Sequence, residues 1–194
     1  MANALKLREG FFNYGLYKAW PEGERWELIH GEAFDMSPAA NRRHQGILTN
    51  LAGRFIPFFV DRPCKVYLAP FDVLLPADAG QDDDSVDTVV QPDLLVICTA
   101  AKLTDQGCRG APDFVLEILS PSTAFKDLGV KLNLYEAHGV KEYWLVNPGN
   151  STILVYQNSR GRGFNKPLSF GLRETLEPVL FPGLTVKLND VFGE

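Results

Sequence analysis

The spacing of apolar positions divides the chain into helical and extended stretches. Phe11, Phe12, Leu16, Tyr17 and Trp20 recur at roughly helical spacing, and Pro21 stops the pattern. Two short runs, Trp26-Glu27-Leu28-Ile29 and Glu32-Ala33-Phe34-Asp35-Met36, flank His30-Gly31 and predict a β-hairpin, broken by Ser37-Pro38. Asn41 stands at an N-cap position before a helix over about 42–60. Its face is Ile47, Leu48, Leu51, Phe55, Ile56 and Phe59, and Pro57 predicts a kink or an early stop. Lys65 to Leu68 and Phe71 to Leu75 read as strands around Ala69-Pro70. Residues 76–90 carry Asp78, Asp82, Asp83, Asp84 and Asp87 and read as a solvated loop, because they lack the spaced ligands of a calcium-binding EF-hand.

The runs Asp93 to Cys98 and Asp113 to Leu119 are nearly continuously apolar. Such runs suit strands covered on both faces, so both are expected near the centre of a sheet. A capping break at Ser120-Pro121-Ser122-Thr123 precedes a helix from about Ala124 to His138, with Leu128, Leu132 and Tyr135 on one stripe and Gly139 at its end. Lys141 to Val146 and Thr152 to Tyr156 flank Pro148-Gly149-Asn150 as a hairpin, and short strands follow near 168–180 and 184–188. There is no internal repeat and no low-complexity linker. The order predicts a mixed α/β sheet in one domain over residues 1–194.

Composition narrows the classes. With 194 residues, 45% apolar and 22% charged, the chain can bury a substantial core, which excludes a disulfide-dependent miniprotein and a disordered tail. No run approaches about 18 uncharged apolar residues, so no membrane span is expected. Met1 to Gly10 carries no apolar secretory segment. The formal charge of −5 favours solubility and counts against a large non-specific nucleic-acid surface. Cys64, Cys98 and Cys108 are odd in number and show no CxxC spacing, so neither a zinc site nor a disulfide framework is expected. Together with the missing signal segment, this points to a reducing cytoplasm.

Several catalytic motifs are absent: GxGxxG, a Walker loop, GxSxG and HExxH. His30, His44 and His138 show no ligand spacing. What stands out is acid in apolar surroundings. Asp93 opens one apolar run, directly after Gln91-Pro92, and Glu117 lies inside the other. Desolvating a carboxylate costs several kcal/mol, so Glu117 needs a compensating cation, either a basic side chain or a divalent metal. If the two strands are neighbours, Asp93 and Glu117 converge at one end. Lys131 lies on the following helix and shares a face with Asp127 and Tyr135, four residues to either side. Two carboxylates, a metal and an amine suit phosphodiester hydrolysis: the metal lowers the pKa of a bound water, and the amine stabilises developing negative charge.

The pair Pro92-Asp93, followed by Glu117-Ile118-Leu119, resembles the PD-(D/E)XK superfamily of restriction-endonuclease-like nucleases. The wider string is similar to one bacterial branch of restriction-endonuclease type, long called a domain of unknown function. That string comprises Trp26-Glu27-Leu28-Ile29-His30-Gly31-Glu32, Gly110-Ala111-Pro112-Asp113, Glu117 through Thr123, Asp127, Lys131, Tyr135 and Gly139 through Trp144. The resemblance covers about residues 10–190. The superfamily lysine normally follows the acid by two positions, where this chain has Leu119; the similar branch places it on the next helix, at Lys131.

The resemblance implies a restriction-endonuclease-like core and magnesium, or manganese, on Asp93 and Glu117, with the Ile118 carbonyl as a further ligand. Glu27 and Glu32 are both candidates for an additional acid, and His44 and Gln45 for phosphate contacts. Asp113 and Asp127 read as capping or supporting residues, and Tyr135, Tyr143 and Trp144 as core. The implied activity is endonucleolytic hydrolysis of DNA, with Arg42, Arg43, Lys126, Lys131 and Lys141 supplying a local basic groove and a homodimer cutting both strands. The alternatives are a non-catalytic module retaining the fold to bind nucleic acid or protein, and, less well supported, a phosphoesterase for a small substrate.

Overall fold

The two apolar runs pair with each other as interior strands of a six-stranded sheet. In a computed structural model of the protein the described residues are 7–21, 23–36, 41–120, 126–158 and 161–193; of Leu7, Arg8, Lys126 and Asp127 only the backbone is described. The strands are β1 (Leu7–Arg8), β2 (Trp26–Ile29), β3 (Glu32–Asp35), β4 (Lys65–Leu68), β5 (Asp72–Leu74), β6 (Val89–Val90), β7 (Leu94–Ile97), β8 (Gly107–Arg109), β9 (Phe114–Ile118), β10 (Glu142–Asn147), β11 (Thr152–Gln157), β12 (Leu168–Gly171), β13 (Thr175–Leu176) and β14 (Val186–Lys187). The helices are α1 (Tyr14–Tyr17), α2 (Arg42–Phe59), α3 (Lys131–Ala137) and α4 (Leu188–Phe192).

The central sheet has the order β12-β11-β10-β9-β7-β4, and a second sheet has the order β1-β3-β2-β6-β5-β8. β9 and β10 are parallel and joined through α3; the other neighbours in the central sheet are antiparallel. Each face of the central sheet is covered. On one lie α2 and the C-terminal segment, where Leu51, Phe55, Phe114, Trp144, Leu188 and others form one core. On the other, Leu95, Val115, Tyr143 and Leu145 pack with Tyr135 of α3 and with Ile29, Val73 and Val90 of the second sheet. This double cover is why β7 and β9 lack the polar alternation of a half-solvated strand.

The first hairpin forms with a two-residue turn in which His30 (φ 51°) and Gly31 (φ 78°) are both left-handed, as a tight hairpin requires. Asn41 caps α2 by accepting a hydrogen bond from the His44 N–H, and Pro57 falls in the last turn. Ile56, expected on the buried face of α2, is exposed. The aromatic stretch before Pro21 yields only a single helical turn, α1. Its aromatic side chains are organised instead by ring packing, Phe12 on Trp20 at 5.1 Å and Trp20 on Trp26 at 5.6 Å. The acidic loop contains the short strand β6 and is tied down by ion pairs from Asp84 to Lys18 and from Asp83 to Arg109. The closing helix α4 was not signalled by the pattern. The break at Ser37-Pro38, the capping residues 121–123, the helix start at Ala124 and the side chain of Asp127 lie outside the described residues.

A π-helical turn over Lys126–Val130 precedes α3. The extra residue per turn rotates what precedes it, so Leu128 is exposed while Leu134 and Tyr135 are buried, and the expected Leu128-Leu132-Tyr135 stripe does not form. Cys64 and Cys98 are joined in a disulfide, contrary to the expectation that the cysteines form no disulfide framework. The reason is register: Lys65 lies opposite Ile97 in the β4–β7 pair, which puts residues 64 and 98 face to face. The cysteine argument for a reducing compartment therefore falls. Cys108 is free and buried, and burial pushes its thiol up to about 12. Among the described residues no helix is long and apolar enough to cross a membrane.

Candidate active site

The antiparallel register Leu94↔Leu116 carries Asp93, just before β7, to a position beside Glu117 on β9. The Asp93 N–H points at Glu117 Oε2 (3.4 Å), and the Ile118 N–H donates to Asp93 Oδ2 (2.8 Å). Each carboxylate is thereby held by the backbone next to the other. α3 then runs back over this face and delivers Lys131, whose side chain is only 1% exposed. Its ammonium lies 2.7 Å from Glu117 Oε1 and 2.7 Å from Glu27 Oε1. The expected convergence of Asp93, Glu117 and Lys131 is thus what the structure shows.

The first hairpin settles which of its two acids belongs here. Glu27 lies on β2 on the same face as Ile29, turned towards the central sheet, and is fully buried; Glu32 is exposed. Glu27 Oε1 also accepts the Gln91 N–H at 2.9 Å. Burial of three charged side chains is tolerable because each is hydrogen-bonded to an opposite charge or a backbone donor. Three carboxyl groups, those of Glu27, Asp93 and Glu117, thus gather around a single amine, so the cluster is rich in oxygen ligands.

Three neighbours escaped sequence reasoning or were given another role. Tyr135, read as core, is fully buried, yet its O–H donates to Glu117 Oε1 at 2.8 Å. The signal was present in its spacing of four from Lys131. His44, one turn into α2, sets Nε2 3.2 Å from Asp93 Oδ2. Gln91 links the cluster to a second polar layer: its Nε2 donates to Asp72 Oδ1 (2.8 Å) and approaches the Tyr17 hydroxyl (3.2 Å). Burial pushes the Asp72 carboxyl up, against the opposing hydrogen bonds from Gln91 and Tyr17, and burial likewise raises the Tyr17 phenol. No sequence motif marked Gln91 or Arg25, whose guanidinium Nη2 lies 3.4 Å from Gln91 Oε1.

A cleft of about 290 Å³ opens beside Asp93 and is lined by Arg25, His44, Gln45, Thr49 and Leu68 among others. The Asp93 side chain is 19% exposed and gives the cluster its opening to this space. Of the expected basic groove, Lys131 is consumed in the buried cluster, and Lys141 pairs with Asp113 at the far end of β9. Arg42 and Arg43 are exposed on the first turn of α2, and the Lys126 side chain lies outside the described residues.

The donor set suits a hard divalent ion. Asp93 and Glu117 offer carboxylate oxygens from adjoining strands, and among the described residues Asp93 Oδ1 accepts no hydrogen bond. Also among the described residues, no three His, Cys, Asp or Glu side chains are grouped to hold a metal by themselves. Magnesium is compatible with this, because it is usually bound by one or two carboxylates, with water and substrate phosphate completing its shell.

The architecture matches the crystal structure of a putative nuclease of the DUF820 group from Anabaena variabilis ATCC 29413, with a TM-score of 0.71 over 91% of this chain and 94% of that one. At 19% identity the likeness concerns fold alone. Residues 15–189 match the family model of Uma2, described as putative restriction endonuclease, and the chain belongs to that family. No curated protein matches the chain.

Proposed function

We propose that this protein is a metal-dependent endonuclease that hydrolyses phosphodiester bonds of DNA. The observation that carries the reading is the placement of Lys131, a lysine buried between Glu27 and Glu117 on the same sheet end as Asp93. Asp93 and Glu117 would hold magnesium or manganese, with the Ile118 carbonyl as a further oxygen, since it leaves its strand on the same edge as the N–H that meets Asp93. When bound, such an ion lowers the pKa of a water and neutralises charge on the scissile phosphate.

The protein's own groups set the geometry for that chemistry. Tyr135 and Lys131 hydrogen-bond Glu117 Oε1 and so fix the carboxylate's orientation. His44 and the Ile118 N–H do the same for Asp93 Oδ2. Glu27 and Glu117 hold the Lys131 amine between them, so this buried ammonium acts on the site through the Glu117 carboxylate, whose charge and position it fixes. A dimer placing two such sites on opposite strands would produce a double-strand break.

The test is nicking of supercoiled plasmid with magnesium and with manganese. Wild type is expected to nick, Glu117→Gln to lose at least about 100-fold, and Lys131→Gln about 100- to 1,000-fold. Nicking by the wild type no faster than by Glu117→Gln in either metal overturns the hydrolytic reading.

The alternative is a non-catalytic module that retains the fold to bind nucleic acid or protein. Calorimetric titration with manganese separates the two. The nuclease reading expects uptake that Glu117→Gln abolishes; a binding module expects oligonucleotide affinity indifferent to that substitution.

A further inference from the structure

Arg25 sits between the buried cluster and the open cleft, and its surroundings are unusual for a guanidinium. Its Nε is buried with no hydrogen-bond partner among the described residues. Its Nη2 makes one long contact, 3.4 Å to the neutral Gln91 Oε1. Among the described residues no carboxylate lies within ion-pair distance of it, although Asp93 lines the same cleft. A half-buried cation with an unsatisfied N–H carries a desolvation cost that its present neighbours do not offset. An anion in the cleft would offset it.

The chemistry of that anion follows from the donor. A planar guanidinium presents parallel N–H groups that match the oxygens of a phosphate, and arginine is favoured over lysine where such two-point recognition matters. The opposite wall supplies Gln45 and Thr49, one turn apart on the exposed side of α2, and the N-terminal turn of that 18-residue helix adds positive potential. A volume of about 290 Å³ is near the lower bound of ligand pockets, about 300 Å³, room for a phosphate with its flanking sugar rather than for a large apolar ligand.

We propose that Arg25 is the phosphodiester-binding residue of this protein, gripping a backbone phosphate of a nucleic-acid strand that lies along the first two turns of α2 beside Asp93. The inference rests on the nuclease reading of Asp93 and Glu117 for its substrate class. It places recognition of the strand on a residue outside the acid-lysine cluster.

The experiment uses the full chain with calcium in place of magnesium and labelled DNA and RNA oligonucleotide duplexes of one sequence. Arg25→Met is expected to weaken binding about tenfold and to reduce the slope of log affinity against log salt by about 0.9 on duplex DNA, the contribution of one lost phosphate contact. Arg25→Lys is expected to keep the slope. Weakened binding with an unchanged slope indicates a purely structural role and overturns the proposal, as does unchanged affinity. Should Arg25→Met fail to melt cooperatively, the wild type decides: the Arg25 Nε–H resonance is expected to shift saturably as oligonucleotide is added. A resonance that stays put while backbone amides move overturns the proposal. Which duplex produces the shift distinguishes DNA from RNA. Manganese titration keeps the two readings apart. Metal uptake without an Arg25 effect leaves the nuclease site standing and removes this inference, whereas an Arg25 effect without uptake does the reverse.

Discussion

Lys131 is the residue on which the interior chemistry turns. Its ammonium pairs with both Glu27 and Glu117 in a place almost closed to water, with side-chain exposures of 1%, 0% and 5%. Removing one member of a buried ion-paired set leaves an uncompensated charge, which typically costs about 3–5 kcal/mol. Lys131→Met is therefore expected to lower unfolding stability by about that amount in urea, and Lys131→Met combined with Glu27→Gln to recover part of it. A loss under about 1 kcal/mol in the single variant would mean that the cluster is far better hydrated than its burial suggests. Part of this site was legible beforehand. Glu117 announces itself as an acid in an apolar strand, and Lys131 by its spacing from Tyr135. Arg25 and Gln91 could not be found that way, because neither occupies a pattern position that its residue type violates.

At the scale of elements, the parallel pair β9–β10 is fastened at the end opposite the acid-lysine cluster. Asp113 precedes β9, and its carboxylate accepts from the Lys141 ammonium at 2.6 Å and from the Cys98 N–H at 2.8 Å. Burial pushes the Asp113 carboxyl up, but these partners outweigh it and hold it below the ordinary range. A lowered folded value means that the stability from this group is present above its unfolded pKa, about 3.9, and is lost as the pH falls through the folded value. Asp113→Asn is thus expected to flatten the acid limb of the stability curve below about pH 4 while lowering stability at pH 7 by about 1.5–3 kcal/mol, as charged hydrogen bonds usually do. Urea melts across pH 2–7 check both effects. Element boundaries show the limits of pattern reading in the same region. The hairpin β10–β11 follows the apolar spacing closely, whereas the π turn before α3 moves Leu128 out to solvent, an adjustment that no periodicity of 3.6 contains.

For the whole molecule, the disulfide between Cys64 and Cys98 ties edge strand β4 to β7, the strand that Asp93 precedes. The bond closes a loop over a sequence separation of 34, and closing such a loop restricts the unfolded chain by about 2–4 kcal/mol. Cys64→Ser with Cys98→Ser, or reduction of the wild type, is expected to lower the thermal midpoint by several degrees and leave the far-UV spectrum unchanged. Equal midpoints with and without reductant would show that the bond contributes nothing to folding. The two faces of the central sheet depend on separate partners, α2 with the C-terminal segment on one side and α3 with the second sheet on the other. The acid-lysine cluster lies where the second of these layers meets the end of the sheet.

The amino-acid sequence by itself determined the central strands, the two hairpins, the capped start of α2 and the presence of acid in apolar surroundings at positions 93 and 117, because each follows from local periodicity, turn chemistry or the cost of placing charge in an apolar run. Tertiary structure alone decided that Glu27 rather than Glu32 faces Lys131, that Cys64 meets Cys98, and that Arg25 opens onto the Asp93 cleft. Those outcomes depend on register and on which layer covers which face, and both are set by packing between segments distant along the chain.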